Sequence, residues 1–293
     1  MRSPLREPGG WVRTSVDIAV PANKWQHPRW WQAVLSVALA TQRAGISIAQ
    51  VMAATGALTD SARCSIADDF MRGKSEWLVQ FDDDTVPPKR AIERLLALKE
   101  PFATGVYFGR VDVKHGLAPH PLIYRRVAGG EYMPVEDYYR GEIITVDGCG
   151  LGCSLIHRSL FEAVRDHYVV VRSPTSMLRP VPPDDVDKHL ALGYVVYTAE
   201  MAAKDDEAGR HRNYPYFLMD SGRTEDFFWC ELLDPLGYKP VADTSIECGH
   251  IGEYTIDGED YRHALYPLQH DAPLAATVLG RGEMVQPGGG ATL

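Results

Sequence analysis

The sequence predicts an α/β fold, in which a mostly parallel, Rossmann-like sheet is flanked by helices and carries an irregular insertion on one side. Three observations predict it. Short apolar runs of strand length alternate with segments whose apolar residues recur at helical spacing. The resulting β-α-β-α-β-α-β order, up to Phe108, needs crossover connections and therefore parallel strands. An acidic cluster, Asp82-Asp83-Asp84, directly follows an apolar run, which places it at a strand's carboxyl end, where such sheets bind their ligands.

The elements follow in order. Met1–Arg13 reads as a loose arm. Val16–Val20 is a buried strand stopped by Pro21. In Arg29–Arg43, Trp30, Val34, Val37, Ala38 and Thr41 share one helical face, and Gly45 ends the helix. Ser47–Ala53 returns to strand character, and Thr59-Asp60-Ser61 offers an N-cap for a helix reaching Arg72. The compact strand Trp77–Phe81 precedes the acidic cluster. Pro87-Pro88, a helix at Lys89–Lys99 and a strand at Phe102–Phe108 come next. Further on, Glu142–Val146 reads as a strand and Gly148–Gly152 as a glycine-rich turn. Ser154–His157 then leads into a helix at Arg158–Arg165. Residues 166–221 show no sustained period and read as an insertion of loops with one helix at Asp184–Leu192. Glu225–Leu236 is a helix closed by Gly237, and Lys239–Glu247 is the last strand. The expected organisation is an arm over 1–14, one folded domain over 15–272 and a mobile, glycine-rich tail over 273–293.

Composition narrows the function. A chain of 293 residues buries a core large enough to stand without staples. The net charge of −9 is unlike the basic excess of proteins that grip nucleic acid through its phosphates. One local basic cluster, Lys204, Arg210, His211 and Arg212, lies in the insertion, as either a solvated loop or an acceptor-facing lid. Five cysteines at irregular spacing do not form a disulfide framework and suit a reducing compartment. Cys149 and Cys153 read as two small buried thiols, with zinc as the alternative. No run reaches the roughly 18–20 apolar residues of a membrane span. Met1–Gly10 has no apolar core of a signal peptide. A cytoplasmic location is expected.

Asp82-Asp83-Asp84 carries the chemistry. Three adjacent carboxylates repel one another at a sheet edge. A divalent cation compensates them more fully than a basic side chain, and Mg²⁺ and Mn²⁺ favour one or two carboxylates plus phosphate oxygens and water. Along an extended chain, Asp82 and Asp84 point the same way and Asp83 the other. Asp-x-Asp there makes a clamp for a metal–diphosphate. The plainer reading is a solvated acidic turn before the helix near Pro88.

This order of apolar strand, Asp-Asp-Asp, Pro-Pro and helix resembles the nucleotide-sugar glycosyltransferases of the GT-A type. Further features stand in that family's order between residues 16 and 252. Arg63 lies in the helix before the acidic strand. The turn Val146-Asp147-Gly148-Cys149-Gly150-Leu151-Gly152 resembles the turn beside the acceptor, and Glu225-Asp226 opens a helix. His250 stands in Gly249-His250-Ile251-Gly252.

The resemblance implies a GT-A-like catalytic domain in which residues 166–221 form the acceptor side. It implies Mn²⁺ or Mg²⁺ on Asp82, Asp84 and His250, and a nucleotide-diphosphate sugar, a UDP-sugar being the commonest kind. Pro21, Asn23 and Lys24 then lie where the nucleotide base sits, with Asp83 and Gly150 beside the donor. Arg63 and Arg223 are candidates for the diphosphate, because a planar guanidinium suits phosphate oxygens. Neighbouring helical positions diverge by about 100°, so one of Glu225 and Asp226 faces the reacting centre. The resemblance favours Asp226 as general base and Glu225 as an orienting or acceptor-binding group.

Each assignment has a plainer counterpart: first-turn acids, a tight glycine corner, a structural histidine, surface ion pairs. The implied reaction is a metal-dependent single displacement with inversion. The acceptor stays open among a glycan, a lipid-linked sugar, a protein and, as in phage-type enzymes, a modified DNA base. A nucleotidyltransferase acting on sugar phosphates and a non-catalytic sugar-binding protein are the alternatives.

Overall fold

The apolar run at the start of the chain forms β1 (Ser15–Ala22), buried from Val16 onward and paired in parallel with a neighbour on each edge as far as Ala19. The structure, a computed structural model, describes residues 14–22, 27–55, 57–109, 119–220 and 222–252, the backbone at 255–256 and residue 258. The expected arm and tail, and Asn23 and Lys24, lie outside the described residues. Pro21 does not stop β1: Pro21 and Ala22 still pair with Ala54 and Thr55. The other neighbour reaches only Ala19, and a strand end tolerates a residue without an N–H.

Helix α1 (Pro28–Arg43) begins with proline in its first turn, and His27 Nδ1 accepts from the Arg29 amide at 3.2 Å. It ends where Gly45 takes φ 82. An edge strand, β2 (Ser47–Thr55), leads to α2 (Thr59–Arg72). Leu58, not Thr59, occupies the N-cap of α2 and makes no side-chain cap bond. Strand β3 (Trp77–Phe81) is buried throughout. A turn joins it to β4 (Thr85–Val86), then come α3 (Ala91–Ala97) and β5 (Phe102–Tyr107). Helix α3 is shorter than its apolar pattern because Lys99 takes φ 57 just before Pro101.

Four short strands follow: β6 (Ile123–Arg126), β7 (Tyr132–Pro134), β8 (Ile143–Thr145) and β9 (Gly148–Cys149). Strand β10 (Cys153–His157) runs into α4 (Arg158–His167). The insertion is more ordered than expected. It holds β11 (Val169–Arg172), β12 (Leu178–Val181), α5 (Val186–Ala191), β13 (Val195–Val196) and α6 (Ala199–Glu207). The chain closes with α7 (Glu225–Leu233), a 3-10 turn at Asp234–Leu236 ended by Gly237, β14 (Val241–Ile251) and β15 (Thr255–Ile256).

The main sheet runs β15-β14-β5-β10-β3-β1-β2, with β4 and β8 also on β14. Strands β1, β2 and β3 are mutually parallel, as are β5 and β14. Strand β10 alone among these central strands runs backwards, between β3 and β5. It starts opposite Phe81, the last residue of β3. The glycine turn that feeds it therefore sits at the carboxyl edge, beside Asp82. Two small sheets, β7-β6-β9 and β12-β11-β13, flank the main one.

Alternation along β1 divides the core. Val16, Ile18 and Val20 pack with Trp30, Val34 and Val37 of α1 on one face, while Ala19 joins the layer formed with α2, α4 and α7 on the other. That second layer centres on Phe161. Its ring stacks on Trp229 at 4.9 Å and meets Phe70 and Tyr216 edge-on. Arg158, at the start of α4, donates to the carbonyls of Phe70, Met71, Gly73 and Ser75, which satisfies the open end of α2 within this layer. No described helix is long and apolar enough to cross a membrane. Phe161→Ala should lower stability by about 3–5 kcal/mol, read as a fall in the urea midpoint at unchanged m-value.

Candidate active site

Helix α2 follows β2, so its first turns stand at the carboxyl edge of the sheet, and Arg63 turns inward from them. Only 1% of it is exposed. Its Nη1 donates to Gln80 Oε1 at 2.7 Å, its Nη2 to Asp82 Oδ1 at 2.8 Å and its Nε to Glu225 Oε1 at 3.2 Å. Asp226 Oδ1 lies 3.5 Å from Nη2, within charge attraction but without a hydrogen bond. One guanidinium thus gathers three carboxylates from β3 and α7. Both Glu225 and Asp226 reach it, although only one was expected to face inward. A flat cation approached through different nitrogens accommodates two neighbouring positions of the first helical turn.

The electrostatics are strained in a defined direction. Burial pushes the Asp226 carboxyl well above the usual range; Arg63 pulls it down, and Glu225 and Asp82 raise it again. Asp82 is raised in the same way, by burial first, against Arg63, with Asp84 and Glu225 adding to the rise. For Arg63, burial opposes the charge, but Asp82, Asp226 and Glu225 more than reverse it and the pKa rises.

The acidic cluster is a turn, not an extended strand. The Thr85 amide donates to the Asp82 carbonyl at 3.1 Å, which places Asp83 and Asp84 at the corner. The side-to-side alternation expected of an extended chain therefore does not apply. Trp30 Nε1 holds the same carbonyl at 2.6 Å. The turn delivers β4 onto β14, where Thr85 pairs with His250 and the Ile251 amide donates to the Asp84 carbonyl at 2.7 Å. This pairing brings His250 Nε2 to 3.5 Å from Asp84 Oδ2. The Phe108 carbonyl accepts from His250 Nδ1 at 2.7 Å, which puts a proton on Nδ1 and turns Nε2 toward Asp84. A proton or a cation between Nε2 and the carboxylate satisfies both. Since metal–ligand distances are about 2.0–2.2 Å, one ion can bridge this gap. Among the described residues no group of three His, Cys, Asp or Glu side chains is placed to hold a metal ion by itself. The expected trio appears as the Asp84–His250 pair with Asp82 turned to Arg63, which leaves the other positions of such an ion to phosphate and water.

Tyr107, which the sequence did not single out, holds the glycine turn in place. Its buried hydroxyl accepts from the Gly152 amide at 3.2 Å, and its ring meets His250 edge-on at 5.5 Å. The Gly152 carbonyl accepts from the Asp82 amide at 3.2 Å. A Cβ at Gly150 would come within 2.1 Å of the Tyr107 hydroxyl, so the space over the Gly150 backbone, expected to lie beside the donor, is filled by Tyr107. Gln80, the one polar side chain in the buried strand β3, was the visible signal of an internal charge.

The remaining candidates are scattered. Pro21 is buried at the end of β1, on the same edge, while Asp83 is half-buried in the turn. Arg223 is paired with Glu231 rather than with the carboxylates around Arg63. Of the basic cluster, Arg210 and Arg212 both bond Asp205, Lys204 bonds Glu200 and His211 bonds Asp206. Cys149 and Cys153 are buried and free, as the reading of two small thiols expects.

No protein-family model matches the chain, and no curated protein matches it. Solved structures similar to it include A197 from STIV, at 14% identity over 84% of this chain and 91% of that one, with a TM-score of 0.44. GalNAc-T7 with UDP, GalNAc and Mn²⁺ is similar at 12% identity over 91% of this chain and 53% of that one, with a TM-score of 0.40. A glycosyltransferase involved in the glycosylation of the major capsid of PBCV-1 is similar at 12% identity over 50% of this chain and 62% of that one, with a TM-score of 0.28. At such values the fold and chemistry of this chain rest on its own strands and side chains.

Arg63→Met leaves three carboxylates without their shared cation and should cost about 3–5 kcal/mol near neutral pH. Without the guanidinium, the folded pKa values of Asp82 and Asp226, already raised, rise further above the unfolded ones. Stability is then regained as pH falls toward the ordinary carboxylate range of about 4. Urea midpoints over pH should show the gap to wild type narrowing on the acid side. Gly150→Ala should lower stability by about 1–3 kcal/mol through overpacking against Tyr107, read as a lower melting temperature.

Proposed function

We propose that the protein transfers a sugar from a nucleotide-diphosphate sugar to an acceptor hydroxyl. The carrying observation is that Asp84 Oδ2 and His250 Nε2 face each other across 3.5 Å at the same edge as the raised Asp226 carboxyl. Asp84 and His250 would hold a divalent ion, Mn²⁺ or Mg²⁺, with Asp82 beside it. When bound, such an ion offsets the charge that gathers on the departing diphosphate.

The chain's own residues do the rest. Asp226 takes the proton from the acceptor hydroxyl as that oxygen attacks the anomeric carbon; burial raises its basicity toward the working pH, which suits a general base. Its carboxylate is held by charge attraction 3.5 Å from Arg63 Nη2. Arg63 is buried and engaged with Gln80, Asp82 and Glu225, so it acts as a positioning residue rather than a diphosphate ligand. Glu225 holds Arg63 from the other side. The nucleotide base would lie at the carboxyl end of β1, beyond Pro21. A base on the face opposite the leaving group gives inversion. Release of a nucleoside diphosphate identifies this reaction, whereas pyrophosphate identifies a nucleotidyltransferase.

Asp226→Asn should reduce transfer by about 10²–10⁴-fold while leaving the thermal stabilisation by UDP and Mn²⁺ intact. Loss of that stabilisation in Asp226→Asn would remove the base from the scheme. Asp84→Ala and His250→Ala should each abolish the Mn²⁺-dependent part of the shift; in wild type, ligand at 100 times its dissociation constant contributes about 2.7 kcal/mol. Because the Asp226 carboxyl is raised, the acid limb of the pH–rate profile should fall above the ordinary carboxylate range and vanish in Asp226→Asn.

A further inference from the structure

Strand β2 ends the order of the main sheet, and among the described residues it pairs only with β1. A free edge of nine residues is a template for another strand, and single chains blunt such an edge with charges, prolines or bulges. Between Ser47 and Thr55 there is no charged residue and no proline. The one register shift falls before Gln50, and Gln50 to Thr55 follow β1 regularly. Helix α1 extends the edge into an apolar face. Trp31 and Leu35 each follow a core-facing residue, Trp30 and Val34, by one position, and so stand about 100° around the helix. The right-handed crossover of a parallel β1-α1-β2 unit turns that flank toward β2. Met52 and Ala54 pack into the α2 layer, so alternation puts Val51 on the α1 side of the strand. Trp31 is 49% exposed, Leu35 57% and Val51 63%.

Charge and size point to what covers this face. The net charge is −9, yet from Ile18 to Thr59 the chain holds no Asp or Glu, and α1 carries no charge between Arg29 and Arg43. The acidic excess that keeps two copies apart elsewhere is absent here. The β2 backbone complements itself when two such strands run antiparallel about a two-fold axis perpendicular to the sheet, a contact that needs no second kind of chain. That axis keeps both α1 helices on one face of the joined sheet, so Trp31, Leu35 and Val51 of the two copies meet in one apolar seam. Strand β2 is about 30 Å long, and strand and helix layers together are about 20 Å deep. Two copies would then bury about 1,200 Å² in total, which reaches the range of stable interfaces, about 1,200–2,000 Å².

We infer that the protein forms a two-fold dimer in which β2 pairs antiparallel with β2 of a second copy and the α1 flanks close over the seam. The inference stands apart from the sugar-transfer reading. Sedimentation of the full chain across the micromolar range should give a particle of twice the 32.5 kDa chain mass. Val51→Lys and Leu35→Glu each bring like charges into the seam and should raise the dimer dissociation constant about a hundredfold, while keeping the circular dichroism of wild type. Leu192→Lys, at an exposed apolar position just after α5, should leave the dimer intact. In wild type, amide hydrogen exchange along β2 should slow as protein concentration rises, which reports the strand pairing without any substitution. A wild-type monomer, an open-ended polymer, or β2 exchange independent of concentration overturns the inference. So does a dimer that withstands both Val51→Lys and Leu35→Glu, or one that Leu192→Lys also dissociates.

Discussion

The structure depends on one buried guanidinium. Arg63 draws Asp82 from β3 and Glu225 and Asp226 from α7 onto a single cation, with Gln80 as a neutral fourth partner. Such an arrangement is not an economical way to stabilise a fold. Removing charges from water costs several kcal/mol per ion, and three carboxylates against one cation leave the cluster electron-rich. The cost falls where the chemistry is proposed. Burial, Glu225 and Asp82 keep Asp226 basic against the pull of Arg63, and Asp82 is held on the guanidinium.

Around this cluster, backbone rather than side chains sets the geometry. The turn after β3 is closed by the Thr85 amide, braced by Trp30 and locked to the glycine turn through Gly152. Strand β14 then fixes Asp84 against His250 through the Ile251 amide. Tyr107 fills the space between the two turns, and that is why Gly150 and Gly152 carry no side chain. Asp82, Asp84 and His250 are thus held by turns and strands that pack against buried neighbours, the condition for a preorganised site.

Much of this was legible residue by residue. Strands β1, β3 and β5 follow from apolar runs, α1 from its one-sided pattern, and Gly237 from the helix it ends, with φ 80. The insertion was not legible for a physical reason. Its strands span two to four residues, less than a period-two pattern needs to declare itself. Helix α6 has one buried residue, Asp205, and no apolar face to announce it. Tyr107 escaped notice because an aromatic residue ending a buried strand looks like any other core side chain.

The sequence by itself determined the layered α/β character, the placement of Asp82 to Asp84 at the end of a buried strand, and the acidic opening of α7. These are local consequences of period, burial and turn chemistry. Which carboxylate meets which partner was decided only in three dimensions. Arg63 and Glu225 are 162 positions apart in the chain, and nothing between them records their contact. Likewise, the acidic residues alternate as an extended strand in sequence but turn in the structure, because β4 must fold back to reach β14. Reverse pairing of that kind depends on a partner strand that lies about 160 residues downstream.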